Sequence, residues 1–224
     1  MNNRVSWFYV VGRWIMLFLL WLLTSWKVRG RENVPRKGAF LVVSNHMNLA
    51  DPPLIAVSIP RRTIFMAKEE LFRPRLTGYF VARFGSFPVY RKRLDLAAMR
   101  KARELLDEGW ALVMFPEGMR SQNGELLPAF PGSAIIAARS DVPILPVAIT
   151  GTEKLKGKTW IFKRPKVQVN IGKPFTLPHN GRVNREQISE MSDNIMCRIA
   201  ELLPLTYRGC YVDRVDSYAD RKVD

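Results

Sequence analysis

The sequence predicts an α/β fold, in which a single domain with a mixed, partly parallel central sheet flanked by helices follows an N-terminal membrane-embedded helical segment. Three observations support this prediction. Short apolar runs alternate along the chain with stretches of helical period, the pattern of a sheet covered by helices. Four of the six tryptophans lie within the first 26 residues, the most apolar part of the chain. The 224 residues, 47% hydrophobic and 25% charged, have the composition of one folded domain, not of a disordered, collagen-like or disulfide-rich chain.

The N-terminal segment, residues 7–26, is apolar on nearly every side of a helix. Trp7, Trp14 and Trp21 follow one another at intervals of seven residues and therefore share one helical face, as expected at a membrane–water interface. Arg13 is unfavourable in a hydrocarbon core and is expected to extend its charge to the interface. The length fits either a single span or a helix half-immersed in one leaflet. A cleaved signal peptide is disfavoured because residues 24–27 are a poor cleavage site.

The remaining elements follow in chain order. One helix begins near Asp51, an N-cap residue followed by two prolines, and a later helix begins with the capping-box spacing of Asn184 and Gln187. Strands are predicted at residues 39–44, 63–67, 86–90, 111–115, 144–150 and 167–171, and further helices at 94–109 and 132–139. The polar C-terminal tail is predicted to be frayed. We therefore divide the chain into an anchoring segment 1–30, an α/β domain 31–206 and the tail 207–224.

The net charge of +15 indicates anionic partners. Residues 61–103 contain 12 basic and three acidic side chains, and a second basic run at 154–166 is interleaved with apolar residues. Lys27, Arg29 and Arg31 follow the N-terminal segment and favour the cytoplasmic face of the cell membrane, where anionic headgroups are found. Two cysteines and two widely separated histidines predict no metal site.

His46 and Asp51 are the candidate catalytic residues, and they follow the predicted strand 39–44. Side chains five positions apart cannot share a face of a continuous helix, because five residues turn the chain by about 500°. The chain must therefore turn between them, and it can then bring the imidazole against the carboxylate. In such a pair the carboxylate fixes the tautomer, and the other ring nitrogen accepts a proton. The alternative is that Asp51 only caps the helix and His46 lies in a turn.

A second motif, Phe-Pro-Glu-Gly-Met-Arg-Ser at residues 115–121, also follows a predicted strand. It contains Glu117, a glycine that permits close approach of the backbone at Gly118, and a planar guanidinium suited to phosphate at Arg120. Ser121 can donate a further hydrogen bond. By itself, the motif is equally compatible with an ordinary turn that carries a solvated acid and base.

Two further motifs lie along strands. Residues 85–91 place Arg91 at the end of a strand, and residues 142–147 form a strand flanked by prolines. Alone, the first is compatible with a surface arginine, and the second indicates an edge or boundary strand.

Together and in this order, the four motifs resemble those of glycerolipid acyltransferases of the lysophosphatidic acid acyltransferase type. The resemblance runs from about residue 27 to about residue 174. It rests on the Asn-His-x-x-x-x-Asp block at 45–51, the Gly-to-Arg block at 85–91, the Phe-Pro-Glu-Gly-x-Arg-Ser block at 115–121 and the Val-Pro-Ile-x-Pro-Val block at 142–147. The apolar N-terminus also resembles the membrane-embedded helices of that family.

The resemblance implies transfer of a fatty acyl group from an acyl thioester, acyl-ACP (acyl carrier protein) or acyl-CoA, to the sn-2 hydroxyl of 1-acylglycerol-3-phosphate, giving phosphatidic acid. His46 is then the general base and Asp51 orients it, without a covalent acyl-enzyme intermediate. The implied substrate-binding residues surround the glycerol-phosphate group of the acceptor: Arg91, Glu117, Gly118, Arg120 and Ser121. No metal or bound cofactor is implied. The expected partners are the lysophospholipid, the acyl thioester, the anionic membrane surface and acyl carrier protein, but no nucleic acid.

The chain departs from the family pattern at three positions. Asn48 stands where serine is common, Met119 where threonine is common, and Pro131 where a basic residue often follows the phenylalanine. The last departure leaves the acceptor less determined than the reaction, so glycerol-3-phosphate, another lysophospholipid or an acyl-amine lipid remain alternatives. A non-enzymatic membrane- or nucleic-acid-binding module accounts for the charge but gives no reason for the His46 and Glu117 motifs.

Overall fold

The computed structural model describes residues 7–90, 95–157, 159–177 and 183–215. The chain forms seven strands: β1 (Ser25–Arg29), β2 (Phe40–Ser44), β3 (Thr63–Lys68), β4 (Ser86–Val89), β5 (Ala111–Met114), β6 (Ile144–Thr150) and β7 (Lys166–Ile171). These strands form one sheet in the order β1-β7-β6-β2-β5-β3-β4.

The sheet is mixed and mostly parallel, as the sequence predicts. Five neighbouring strands, β6, β2, β5, β3 and β4, run parallel to one another. Strand β7 pairs antiparallel with β6, and β1 pairs parallel with β7. Strand β2 is buried at every position because both faces of the sheet are covered, which explains its uninterrupted apolar sequence. The carboxyl ends of the five parallel strands meet at one edge, where sheets of this kind place their functional sites.

Helices cover the two faces of the sheet. They are α1 (Trp7–Leu23), α2 (Asp51–Ser58), α3 (Arg75–Arg83), α4 (Leu96–Asp107), α5 (Gly132–Ser140), the short α6 (Trp160–Lys163) and α7 (Arg185–Ala200). α1 and α2 pack with Val42 and Val113 on one face, whereas α4, α5 and α7 pack with Leu41 and Leu112 on the other. The alternation of β2 and β5 side chains between these two cores follows from the two-residue period of a strand.

Two helix starts show how the sequence sets element boundaries. Asp95 caps α4, since its carboxylate accepts hydrogen bonds from the N–H groups of Ala97 and Ala98 at 3.1 and 3.0 Å. The predicted capping box is confirmed: Asn184 accepts from the N–H of Gln187 at 2.8 Å, and the Gln187 side chain accepts from the N–H of Asn184 at 2.9 Å.

Helix α1 exposes the tryptophan face that its period predicts, with Trp7, Trp14 and Trp21 at 74%, 68% and 66% exposure. Within the described ranges, none of the helices combines the length and apolarity needed to cross a membrane. The prediction that Arg13 extends to an interface is wrong. Its guanidinium turns inward and donates to main-chain carbonyls at the end of α2, because the unpaired carbonyls of a helix C-terminus attract a cation.

Strand β1, helix α3 and the short α6 are absent from the sequence prediction. Strand β1 has the sequence Ser-Trp-Lys-Val-Arg, with three polar or charged residues among five, and it is defined by its pairing with β7. Residues 25–29, assigned by the sequence to the anchoring segment, therefore belong to the sheet. The proposed division into three segments otherwise stays a prediction.

The prediction of a frayed tail is wrong for residues 207–215. Tyr211 is only 2% exposed, and its hydroxyl oxygen accepts a hydrogen bond from the N–H of Ala129 at 3.2 Å. Val215 is also buried, in the same core as the apolar side chains of α7. The apolar residues among the polar ones are what hold this part of the tail on the domain. Residues 216–224 lie outside the described residues.

Candidate active site

His46 and Asp51 lie in contact just beyond the carboxyl end of β2. Nδ1 of His46 is 2.8 Å from Oδ2 of Asp51, and both side chains are buried, at 8% and 0% exposure. The same carboxylate oxygen accepts hydrogen bonds from the N–H groups of Met47 and Asn48, at 2.6 and 2.7 Å. Asp51 is the first residue of α2, and Ala50 is its N-cap. The alternative role of Asp51 as a simple N-cap is therefore wrong, because its carboxylate folds back onto the turn.

The contact settles which nitrogen of the imidazole is available. The carboxylate of Asp51 only accepts hydrogen bonds when ionised, so Nδ1 carries the proton and Nε2 is left as the acceptor. Three hydrogen bonds and the positive end of the α2 dipole compensate the buried charge of Asp51. The ring of Phe115 stacks on the imidazole, with centroids 4.2 Å apart, and restricts its rotation. The arrangement is suited to general-base catalysis.

The loop after β5 holds the backbone of His46 on both sides. One carboxylate oxygen of Glu117 accepts from the N–H of His46 at 2.8 Å, and the other accepts from the N–H of Leu127 at 2.9 Å. The N–H of Ser121 donates to the carbonyl oxygen of His46 at 2.8 Å. The motif at 115–121 therefore positions the histidine through its main chain.

Glu117 is almost completely buried, at 1% exposure. Burial raises the pKa of its carboxyl from 4.5 to about 7, although the N–H groups of Leu127 and His46 lower it; the nearby charge of Asp51 raises it further. Desolvation therefore outweighs the two hydrogen bonds. Near neutral pH the carboxyl exists in both protonation states, in direct contact with the main chain of His46.

The other residues of the motif have distinct environments. Gly118 has φ +64, and a Cβ at this position would lie 2.7 Å from Cδ2 of Phe130, so the fold requires glycine here. Arg120 is exposed. The hydroxyl of Ser121 is buried; it donates to Oδ1 of Asn123 at 2.9 Å and accepts from the N–H of Gly124 at 3.1 Å, so it stabilises its own loop. Arg91 lies outside the described residues. The substrate-binding roles of these residues stay predictions.

An apolar cavity of about 400 Å³ opens beside this loop. Methionine and phenylalanine side chains supply much of its lining: Met66, Met99, Met114, Met119, Phe115 and Phe130. Since Phe115 also stacks on the imidazole, the cavity and the histidine share a wall. A site with a buried base beside an apolar cavity is suited to a substrate that combines a reactive hydroxyl or ester with a hydrocarbon chain.

A comparison with known families gives this geometry its chemical context. A family model described as acyltransferase matches residues 25–150, which is more than half of the chain and includes all four motifs.

The chain belongs to the acyltransferase family.

This acyltransferase is similar to curated bacterial relatives and to a solved structure. It is 30% identical over 199 residues to the 1-acyl-sn-glycerol-3-phosphate acyltransferase of Streptococcus pneumoniae, covering 87% of this chain and 73% of the relative. It is 30% identical over 178 residues to the protein of the same name from Bacillus subtilis, covering 79% of this chain and 87% of the relative. The crystal structure of the 1-acyl-sn-glycerophosphate acyltransferase from Thermotoga maritima matches with a TM-score of 0.69 at 29% identity, covering 90% of this chain and 82% of that chain.

Two residues that support the acyltransferase site were assigned no role from the sequence. The side chain of Asn45 accepts from the N–H of Ile149 at 2.8 Å and donates to its carbonyl at 2.9 Å, which fixes the end of β2 against β6. Phe115 supplies the stacking contact on the imidazole. An asparagine directly before His46, at the end of a predicted strand, was a signal for the first, whereas only the folded chain brings Phe115 to the ring.

Within the described part of the chain, no group of three or more histidine, cysteine, aspartate or glutamate side chains could hold a metal ion. Cys197 is buried among apolar residues and Cys210 is exposed. The expectation that the enzyme works without a cofactor stays a prediction.

Replacing Glu117 by glutamine will remove a pH dependence of stability. Because the pKa of this carboxyl is about 7 in the folded state and 4.5 ordinarily, its contribution is fully present below pH 4.5 and is lost as the pH rises through 7. The shift corresponds to roughly 3 kcal/mol. Urea denaturation in detergent from pH 5 to 8 measures the difference in unfolding free energy between wild type and variant, which should shrink as the pH rises. A difference that stays constant with pH contradicts the assignment, and the exposed Glu104→Gln serves as the control.

Proposed function

We propose that this acyltransferase transfers a fatty acyl group from an acyl thioester to the sn-2 hydroxyl of 1-acylglycerol-3-phosphate, forming phosphatidic acid. The observation that carries the proposal is the buried contact of 2.8 Å between His46 and Asp51, which leaves Nε2 free to accept a proton. The names of the relatives from Streptococcus pneumoniae, Bacillus subtilis and Thermotoga maritima support the choice of acceptor.

The proposed reaction proceeds in one addition and one elimination. Nε2 of His46 removes the proton from the acceptor hydroxyl as its oxygen attacks the thioester carbonyl, forming a C–O bond and an imidazolium. The carboxylate of Asp51 stabilises this imidazolium through the Nδ1–H bond. The tetrahedral intermediate then collapses, the C–S bond breaks, and the leaving thiolate receives the proton from His46. The histidine is thereby regenerated.

The apolar cavity beside Phe115 supports an acyl chain as the transferred group. Its side walls carry few polar groups, and the flexible methionines Met66, Met99 and Met114 can adapt to a hydrocarbon chain. Arg120 is exposed and directly follows Met119 of the cavity lining, and no acid pairs with it in the described ranges, so its guanidinium is available for the acceptor phosphate. Arg91 is proposed for the same role from the sequence alone.

A basic notch between α4 and α5 supports an anionic carrier for the thioester. Arg100, Arg103 and Arg139 line this notch of about 260 Å³, and Met99 lines both the notch and the apolar cavity beside Phe115. Coenzyme A and acyl carrier protein are both strongly acidic, and either carrier could deliver its acyl chain to the cavity from this side.

We further propose that α1 lies in one leaflet on the cytoplasmic face of the membrane. Its exposed face carries three tryptophans, at 7, 14 and 21, and is continued by Ile15 and Phe18, which are 54% and 57% exposed. Such a face would otherwise leave a large apolar area in water. Lys27, Arg29 and Arg31 follow directly and can contact anionic headgroups.

Changing Trp7, Trp14 and Trp21 together to serine will weaken binding to anionic phospholipid vesicles by about tenfold or more. Each substitution removes an indole ring that would bury a large apolar area in the lipid interface. Flotation of the protein with vesicles measures the bound fraction. Leu205→Ser is the control, since Leu205 is 66% exposed but is distant in sequence from α1. Equal flotation of the triple variant and wild type contradicts the membrane proposal.

The experiment that tests the reaction follows phosphatidic acid formation by detergent-purified enzyme. 1-Acylglycerol-3-phosphate is offered with long-chain acyl-CoA and, separately, with acyl-ACP. The proposal expects product and thiol release with at least one donor. Thiol release only with glycerol-3-phosphate or another lysophospholipid contradicts the acceptor and keeps the reaction class.

A further inference from the structure

Arg13 is a charged residue in the middle of an apolar helix, and its environment is the starting point for an inference about control of the active site. The neighbouring Trp14 and Ile15 are exposed, but Arg13 turns to the protein side of α1. Its Nη1 donates to the carbonyls of Ala56 and Ile59, the latter at 3.1 Å, and its Nη2 donates to the carbonyl of Val57 at 3.0 Å. One guanidinium therefore satisfies three carbonyls at the C-terminal end of α2.

Helix α2 connects these carbonyls directly to the catalytic pair. It contains eight residues, about 12 Å of helix, and begins with Asp51. Asp51 holds His46, Met47 and Asn48 through one carboxylate oxygen. A short helix moves as a rigid rod, so a displacement at its C-terminus is transmitted to the carboxylate at its N-terminus.

The outer face of α1 is the surface that we propose to contact lipid, and its inner face is tightly packed. A Cβ on Gly12 would lie 2.3 Å from Cζ of Phe84, so the helix and this ring leave no space between them. Leu20 is buried in the same core as Leu54 and Ile55 of α2. The position of α1 therefore constrains α2 through packing and through the hydrogen bonds of Arg13.

We propose that Arg13 is a positioning residue that makes the geometry of the His46–Asp51 pair depend on the position of α1 against α2. Lipid contact on the outer face of α1 then stabilises the active arrangement of the pair, so that the enzyme works fully only at a membrane surface. This inference rests on the proposed function for its kinetic readout, but not for its spectroscopic one.

The kinetic test compares Arg13→Ala, Arg13→Lys and wild type in the phosphatidic acid assay on vesicles. We expect Arg13→Ala to lower kcat by about 10- to 100-fold, the range typical of a small misplacement of catalytic groups, with little change in KM or vesicle flotation. Arg13→Lys keeps the charge but not the forked donors, so its kcat should lie between those of wild type and Arg13→Ala. Free guanidinium at a non-denaturing concentration should restore part of the kcat of Arg13→Ala. Lys101→Ala, which removes a surface cation from α4, is the control for charge loss.

The spectroscopic test does not depend on turnover. The chain has two histidines, so labelling with ¹⁵N-histidine gives two ring systems, and His46→Ala assigns them. The strongly deshielded Nδ1–H proton of His46, expected from its bond to Asp51, should weaken or shift in Arg13→Ala and remain in Lys101→Ala. Vesicles should strengthen this signal in wild type.

The outcomes separate the inference from the proposed function. An unchanged kcat per folded molecule together with an unchanged His46 signal in Arg13→Ala overturns the inference, as does a loss of activity that only mirrors reduced vesicle binding or reduced folded fraction. Failure of wild type to form phosphatidic acid contradicts the function instead, and the histidine signal still decides the role of Arg13.

Discussion

Replacing His46 by alanine will lower kcat for phosphatidic acid formation by about 10²–10⁴-fold, the range expected for loss of a general base. The imidazole is the base that the geometry leaves with a free nitrogen, because Nδ1 is engaged by Asp51. The fold should survive the change. Glu117 and Ser121 bind the N–H and the carbonyl of residue 46, and alanine retains both groups.

The measurement compares initial rates of the two proteins at equal folded concentration, with near-ultraviolet circular dichroism as the test of folding. His179→Ala is the matched control, because His179 is the other histidine of the chain; it lies outside the described residues and is predicted from its sequence context to lie in a turn. Equal rates for wild type and a folded His46→Ala protein would falsify the proposed mechanism.

Asp51→Asn will lower kcat by about 10²–10⁴-fold and will also destabilise the fold by about 1–3 kcal/mol. Oδ2 of Asp51 accepts from Nδ1 of His46 and from two main-chain N–H groups. If the asparagine oxygen takes this position, its amino group replaces Oδ1, which is buried without a partner in the described structure. If the amide is flipped, its amino group faces the three donors that bind Oδ2 in the wild type. In either orientation, the neutral amide no longer stabilises the imidazolium.

The change in kcat is measured with the vesicle assay, and the change in stability with urea denaturation. Asp107→Asn is the control, since this carboxylate is 64% exposed and 3.7 Å from Arg103 on the surface of α4. A folded Asp51→Asn enzyme with wild-type kcat would show that Asp51 serves the turn alone.

The sequence was informative where burial dictates composition. Strands β2, β5 and β6 are apolar except for their last residues, Ser44 and Thr150, because both faces of the sheet are covered, and their bounds match the prediction closely. The capping box of α7 was equally readable, since both of its hydrogen bonds are local. Edge strand β1 was not predictable in this way, because five alternating polar and apolar residues do not indicate a strand until their pairing with β7 is known.

The same distinction applies to the candidate site. The spacing of His46 and Asp51 requires a turn, so their contact was predictable from local geometry. Glu117 was expected in the acceptor pocket from the resemblance, but its two carboxylate oxygens accept from the main chain at His46 and Leu127. No sequence pattern indicates these contacts, because they join segments 71 and 10 residues apart.

Arg13 shows the limit of hydropathy most clearly. Its hydropathy context indicated a charge extended toward headgroups, yet tertiary packing brings the end of α2 within its reach, and helix carbonyls become its partners. Local periodicity and burial were enough to predict strands β2 to β7, the five longer helices other than α3, the polar turn at the end of β2 and the apolar outer face of α1. The partners of Arg13 and Glu117 became known from the fold alone, because hydrogen-bond partners distant in sequence are selected by the packing of the sheet and its two helical layers.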